Sequence, residues 1–437
     1  MANKWINTTV GEFCPFIYGK NLPQGKRITG EIPVFGSNGR VDYHNIAYVK
    51  GPGIIIGRKG SVGALNISYT SFWPIDTTFY IEKSSIGELV FTYYLLKTLG
   101  LENMNSDSAV PGLNRDNAHS LLIKIPEKIE DRCNIGLWLD TFDKKIFINQ
   151  EINQTLEQIL QTLFKSWFVD FDPVIDNALE AGNPIPDSLQ KRAKLRQKVR
   201  NSPDFKPLSE EICALFPTEF EETELGWVPK GWNIYTLFEA SSFLKRGISP
   251  KYIEDGGVQV INQKCIRNHE INFSLCRRNN TELKKVSGYE LELGDILINS
   301  TGVGTLGRMA QVRFLPENSV VDSHVTVVRA NEKICPKYTF GQLLMLQENV
   351  IEQLGEGSTG QTELNRKVLF DQKILLPNTS LSKYVEKYIL DISEKIAFNS
   401  IQIQSLTQLR DTLLPKLISG ELSLDDLPET VTETKCA

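Results

Sequence analysis

The chain repeats itself, and the repeat falls on its longest amphipathic stretch. Displaced by 250 positions, LDTFDKKIFINQEINQTLEQILQTL (139–163) lies on ILDISEKIAFNSIQIQSLTQLRDTL (389–413). Lys145 falls on Lys395, Ile146 on Ile396, Asn149 on Asn399, Gln154 on Gln404, Leu156 on Leu406, Gln158 on Gln408, Thr162 on Thr412 and Leu163 on Leu413, eight identities in nineteen positions. Both copies carry apolar residues in a seven-residue rhythm: Leu139, Phe142, Ile146, Leu156, Leu160, Leu163 and Trp167, then Ile389, Ile392, Ile396, Ile403, Leu406, Leu413 and Leu417. Such an a/d seam among Gln, Lys, Glu and Asp predicts two coiled-coil helices. At one d-type position each seam carries an asparagine, Asn149 and Asn399. Each is either buried opposite another polar group, setting the register at some cost in stability, or turned to water where the seam frays. Charges interrupt both stretches, and no run of about 18 apolar residues occurs, so no membrane span is expected.

The duplication extends beyond the helices. KWINTTVGEF (4–13) is echoed by GWNIYTLFE (231–239), PGIIIGRKGSVG (52–63) by GDILINSTGVGTLG (294–307), and PIDTTFYI (74–81) by VVDSHVTVV (320–328). Leu113-Asn114-Arg115 falls on Leu364-Asn365-Arg366, Ile123 on Ile374 and Pro126 on Pro377. Short β-rich runs punctuated by Gly, Pro and Asn, with helical spacing in ELVFTYYLLKTL, make each copy an α+β domain. At 437 residues two to four domains are expected, on a prior of roughly 100–200 residues each. The predicted division is a globular domain over 1–129, a first helix over 130–168, a connector over 169–224, a second globular domain over 225–380, a second helix over 381–424 and a flexible acidic tail over 425–437. Two half-copies tend towards two-fold pseudosymmetry, which makes equal helices antiparallel and sets two pseudo-symmetric globular domains apart. Each seam of about 26 residues spans about 39 Å, close to the roughly 34–36 Å turn of duplex DNA that separates paired half-sites.

In the connector, Pro173, Pro184, Pro186, Pro203 and Pro207 exclude one continuous element, with a short helix expected over 187–200. Its basic run, Lys191, Arg192, Lys194, Arg196, Lys198 and Arg200, is read as a solvated face or a contact to the acidic stretch 210–224 rather than a phosphate site.

The net charge of −5 hides local asymmetry. Residues 1–70 hold eight Lys/Arg against three acids, and 240–315 eleven against seven, whereas 204–225 holds seven acids and one Lys. Two corresponding basic regions suggest two polyanion-facing surfaces. Within them hydrogen-bonding and basic residues mix: Lys20, Ser37, Asn38, Arg40, Arg58, Lys59 and Ser61 in the first copy, Lys245, Arg246, Asn262, Gln263, Ser300, Thr301 and Arg308 in the second. Such side chains bond base edges and phosphates. Each taken singly also fits ordinary turn chemistry; recurrence in both halves favours DNA for the set.

Catalytic signatures are missing. Gly302-Val-Gly304-Thr-Leu-Gly307 fits a dinucleotide-loop spacing, but a strand-like RMAQVRF follows where a helix is required, so these are hairpin glycines. No P-loop, nucleophile elbow or His-Glu-x-x-His helix occurs. The seven cysteines form no C-x-x-C pair and the four histidines are scattered, so reduced structural thiols and no metal site are expected. MANKWINTTVGEF has no apolar signal core, which predicts a cytoplasmic protein.

IPVFGSNGRVDYH, GIIIGRKGSVG, NQTLEQILQTLFKSWFVDFDPV, ELGWVPKGW and LRDTLLPKLISGEL, set in this two-copy plan, resemble the specificity subunit of Type I restriction-modification enzymes, from about Trp5 to Leu424. The resemblance implies two target-recognition domains that each read half of a bipartite double-stranded DNA sequence. Two antiparallel helices would set the spacer and dock two methyltransferase subunits, and the assembly can add motor-nuclease (restriction) subunits. The chain itself would be non-catalytic and hold no cofactor. S-adenosylmethionine, ATP and magnesium would serve the partners. Asn114, Arg115, Asn365 and Arg366 join the candidate DNA-binding residues by matched position. The alternative is a duplicated protein-binding scaffold without sequence-specific DNA recognition.

Overall fold

The computed structural model describes residues 4–104, 112–302, 304–356 and 363–427. It divides into two compact units, Met1–Asn149 with Gln402–Ala437, and Gln150–Ile401. Helices of 40 and 41 residues, Ile129–Phe168 and Thr379–Ser419, each contribute one segment to either unit. The second stops five residues before the expected 424, because Gly420 takes a left-handed φ of 77° that ends a helix. From 428 onward the expected tail lies outside the described residues.

In the first unit Trp5–Thr9 pairs antiparallel with Leu122–Pro126. A four-stranded sheet runs Ile17–Tyr18, Thr78–Glu82, Gly53–Gly57, Leu65–Ser68, and Ile32–Gly36 lies between Gly39–His44 and, parallel to it, Trp73–Pro74. The second unit builds the same thing again. Asn233–Thr236 pairs with Lys373–Leu376, a sheet runs Ser241–Arg246, Val325–Ala330, Ile296–Asn299, Met309–Gln311, and Val258–Ile261 is parallel to Ser319–Val321. Both copies are α+β, as the alternation of strand-like and helical spacing requires; the larger sheets share one strand order, and the smaller sheet of the second unit has an extra strand, Tyr252–Ile253.

Local details repeat too. Thr9 and Glu12 form a capping box, and Thr236 and Glu239 exchange the same two bonds, Glu239 N–H to Thr236 Oγ1 at 3.2 Å and Thr236 N–H to Glu239 Oε2 at 2.8 Å. Gly19 and Gly247 are glycine for one reason: a Cβ would come within 2.1 Å of the Ile75 carbonyl oxygen in one copy and 2.0 Å of the Val321 carbonyl oxygen in the other.

Each core joins sheet to helix. In the first unit Ile54, Ile56, Phe79, Leu89 and Tyr94 pack with Ile135, Leu139 and Phe142 of the first long helix and Leu414, Leu417 and Ile418 of the second. In the second unit Ile296, Ile298, Val328 and Phe340 pack with Leu160, Phe164 and Trp167 of the first and Leu381, Val385 and Ile389 of the second. Shifted by 250, Leu139 is Ile389, Phe164 is Leu414 and Trp167 is Leu417, so corresponding helical positions serve corresponding cores.

The connector forms a helical hairpin, Asp172–Ala181 and Gln190–Arg200, turning at Pro184 and Pro186. Its basic run does find acids, but not those of 210–224. Arg192 bonds Asp172 at 2.6 Å, Arg196 pairs with Asp176, and Arg200 lies 3.4 Å from Glu180. Hairpin neighbours 20 residues apart meet at little entropic cost, and that local pairing takes the guanidinium groups first. Among the described residues no helix is long and apolar enough to cross a membrane.

Candidate nucleic-acid interface

The polar breaks in the helical seam are buried, which decides between register-setting and fraying. Asn149 is 2% and Asn399 1% exposed. In the first unit Asn149 Nδ2 donates to Gln402 Oε1 at 3.1 Å. In the second, Asn399 Nδ2 donates to Asn153 Oδ1 at 2.8 Å. These pairs, with Asp143 on Arg410 in the first unit, show the helices antiparallel within each unit. Asn153 and Gln402 do not stand out in the sequence. Asn153 is one turn from Asn149 on the same face, the only signal that it would share the seam.

The loop clusters are where the charge asymmetry points. In the first unit one carbonyl, that of Thr77, gathers two loops: it accepts from Ser37 Oγ at 2.8 Å, Arg58 N–H at 2.9 Å and Lys59 N–H at 3.1 Å. The Ile32–Gly36/Gly39–His44 hairpin turns at Ser37-Asn38, with Gly39 at φ 107°, and leaves Asn38 and Arg40 exposed. Tyr18, half exposed at the sheet edge, has the Arg58 guanidinium 5.3 Å from its ring centre and that of Arg115 at 5.1 Å. Two cations over one aromatic ring are held at the sheet edge; Arg115 also lies 3.5 Å from the exposed Asp116 carboxylate, and Arg58 donates to the Asp76 carbonyl at 2.8 Å. Lys20 stands over the Tyr48 ring at 5.1 Å, and Ser61 is half buried in the same glycine loop. Tyr18 escapes sequence reasoning, because one exposed Tyr at a strand end carries no pattern.

The second unit assembles the equivalent loops with different side chains. Leu364 N–H donates to the Ser300 carbonyl at 2.9 Å, as Leu113 N–H does to that of Arg58 at 2.8 Å. The hairpin holding Gly302, Gly304 and Gly307 joins Ile296–Asn299 to Met309–Gln311, a strand, so no dinucleotide loop exists. Thr301 Oγ1 meets His324 Nδ1 at 2.8 Å and Gln263 Oε1 at 3.2 Å. Arg308 folds back on the Gly304 carbonyl at 2.7 Å. Arg246 pairs with Glu363 and donates to the Leu364 carbonyl at 2.8 Å. Lys245 and Arg366 are exposed. Beneath the cluster, burial raises the Asp322 carboxyl above its usual range while the His324 N–H bond opposes it.

Several candidates are committed to the protein itself. Asn114 and Asn365 cap the helices Arg115–His119 and Arg366–Asp371 through their side-chain oxygens. Asn262 accepts from Lys264 N–H at 2.9 Å, and Ser300 is buried with its hydroxyl on Thr326 at 2.6 Å. Among the described residues no three His, Cys, Asp or Glu side chains gather as a metal would need. What remains on the surface is mostly cationic, in two matched places.

The model of the family described as Type I restriction modification DNA specificity domain matches residues 3–158 and again residues 229–408. The chain is 28% identical over 338 residues to the Type I restriction enzyme HindI specificity subunit of Haemophilus influenzae, covering 71% of each chain. It is 24% identical over 356 residues to the MjaIX specificity subunit of Methanocaldococcus jannaschii, covering 77% of this chain and 70% of that one. A crystal structure of the S subunit of a Type I restriction-modification system from M. genitalium superposes with a TM-score of 0.58 at 15% identity over 95% of this chain and 96% of that one, a shared fold.

Proposed function

This chain belongs to the family of Type I restriction modification DNA specificity domains, and from that premise we propose how its residues perform the task. It is a specificity subunit with two duplicated recognition domains, and each reads one half of a bipartite DNA target. The observation that carries the assignment of residues is the same loop framework built twice, each time beneath a cationic surface. Arg58, Lys59 and Arg115 in the first domain, and Lys245, Arg308 and Arg366 in the second, supply the donors to phosphates and base edges. Asn38, Arg40 and Lys20 extend the first surface.

The chain carries out no bond-making step. Methyl transfer from S-adenosylmethionine, and ATP- and magnesium-dependent translocation and cleavage, fall to partner subunits in the cytosol. Two methyltransferase subunits dock along the long helices, and restriction subunits join them. In support, equivalent apolar side chains stand exposed on the helices of both units: Ile148 with Leu409 in the first, Phe398 with Ile159 in the second. Uncovered apolar residues at paired positions fit two copies of one partner.

Arg58→Ala and Arg308→Ala, each co-expressed with the methyltransferase, are expected to weaken binding to target duplex. Each should also lower the slope of log affinity against log salt by about one for every phosphate no longer neutralised. Gel shifts over a salt series measure both. An unchanged affinity with an unchanged slope places those loops away from DNA, and no preference for any duplex would leave the scaffold reading.

A further inference from the structure

Because one framework is built twice, the two domains can be compared position by position. Tyr18 lies opposite Phe79, which lies opposite Ile56. Arg246 lies opposite Thr326, which lies opposite Ile298. Ile56 and Ile298 are matched in the duplication, so Arg246 stands where the first domain has Tyr18. The bridge from Lys59 to Gly112 is likewise repeated by the bridge from Thr301 to Glu363, so Glu363 stands where the first domain has a glycine. Arg366 matches Arg115. In the first domain this place holds Arg58, Lys59 and Arg115, with Asp116 3.5 Å from Arg115 and a glycine, not a carboxylate, at the position of Glu363. In the second an open cavity of about 430 Å³ is lined by Arg246, Glu363, Leu364, Asn365 and Arg366.

A carboxylate on a DNA-facing surface needs a reason, since it repels phosphate. The Glu363 side chain is 59% exposed, yet it is held: Arg246 pairs with it while bonding the Leu364 carbonyl at 2.8 Å. What an oriented carboxylate can do against duplex DNA is accept a hydrogen bond from a base amino group. Guanine and thymine present acceptors in the major groove, and adenine presents an acceptor N7 beside its N6 amino group. Cytosine alone offers a donor, its N4 amino group, without an adjacent acceptor.

We propose that Glu363 is a specificity-determining residue of the second recognition domain that accepts from a cytosine N4 amino group, with Arg246 as the positioning residue that aims it. This rests on the domains' DNA-reading function. The first domain has Tyr18 and Gly112 at the positions of Arg246 and Glu363, so the two domains read different half-sites from one scaffold.

The test is methylation-motif sequencing of cells carrying the full chain with its methyltransferase, as wild type, Glu363→Gln, Glu363→Asp and Arg115→Ala. The glutamine amide can both donate and accept, which suits adenine N6 and N7. Glu363→Gln is therefore expected to lower cytosine preference at one position of one half-site by about tenfold or more and to admit adenine there. The other half-site and the spacer stay unchanged. Glu363→Asp keeps the carboxylate and keeps the cytosine preference. Arg115→Ala alters the opposite half-site. A Glu363→Gln motif identical to wild type, or a fall in preference spread over both half-sites, overturns the inference while leaving the recognition function standing. A wild-type complex with no preferred motif overturns both.

Discussion

Arg313→Ala is expected to destabilise the second unit by about 3–5 kcal/mol, because it leaves a buried charge without its partner. Arg313 follows the Met309–Gln311 strand and reaches Glu157 on the first long helix, with side chains only 5% and 6% exposed. Burial pushes the guanidinium down to about 10, which still leaves it charged at neutral pH. Taking two charges out of water is costly, and their mutual attraction offsets that cost only while both remain. Removing Arg313 strands a buried carboxylate, whereas Glu157→Leu with Arg313→Leu removes both charges and is expected to cost little. Thermal melting should show the single variant about 10 °C lower, or more, and the double variant near wild type. Equal losses in both would mean that the pair acts through packing and not through charge.

Removing residues 149–155 and 399–405 together is expected to shorten the DNA spacer by about three base pairs while leaving both half-sites intact. Seven residues are two helical turns of a coiled coil, so each apolar face keeps its direction. At 1.5 Å per residue the loss is about 10.5 Å, and base pairs stack at about 3.4 Å. The choice of segments follows from the register. Asn149, Asn153, Asn399, Ser400 and Gln402 leave together, so no buried amide is orphaned, and the Asp143–Arg410 pair is retained. The methylated motif reports the spacer. An unchanged spacer would show that helix length does not set it, and altered half-sites would show that the deletion disturbed the domains.

The sequence carried the helices, the doubling and the family, because each is a property of order along the chain. A seven-residue rhythm is visible wherever it occurs, and a 250-residue self-match needs no coordinates. The candidate site was legible only as a region. Positive charge marks the loops around Arg58 and Arg308, but residue type alone puts Asn114, Asn262, Ser300 and Asn365 beside them on equal terms. The structure shows their side chains capping helices or bonding backbone and hydroxyl groups. Tyr18 and Glu363 carry no local pattern at all. Their meaning comes from what stands opposite them, and the second is visible only as the counterpart of Gly112.

The order of residues thus determined by itself that this chain has two copies of one recognition domain, each tied to a long amphipathic helix, and hence which family it belongs to. Only the tertiary structure decided which polar groups are used up inside and which are left to face a ligand. The reason is that a side chain's availability depends on burial and hydrogen bonding. Those are set by partners such as Thr77 for Ser37, Gln402 for Asn149 and Glu363 for Arg246, which lie from 40 to more than 250 residues away.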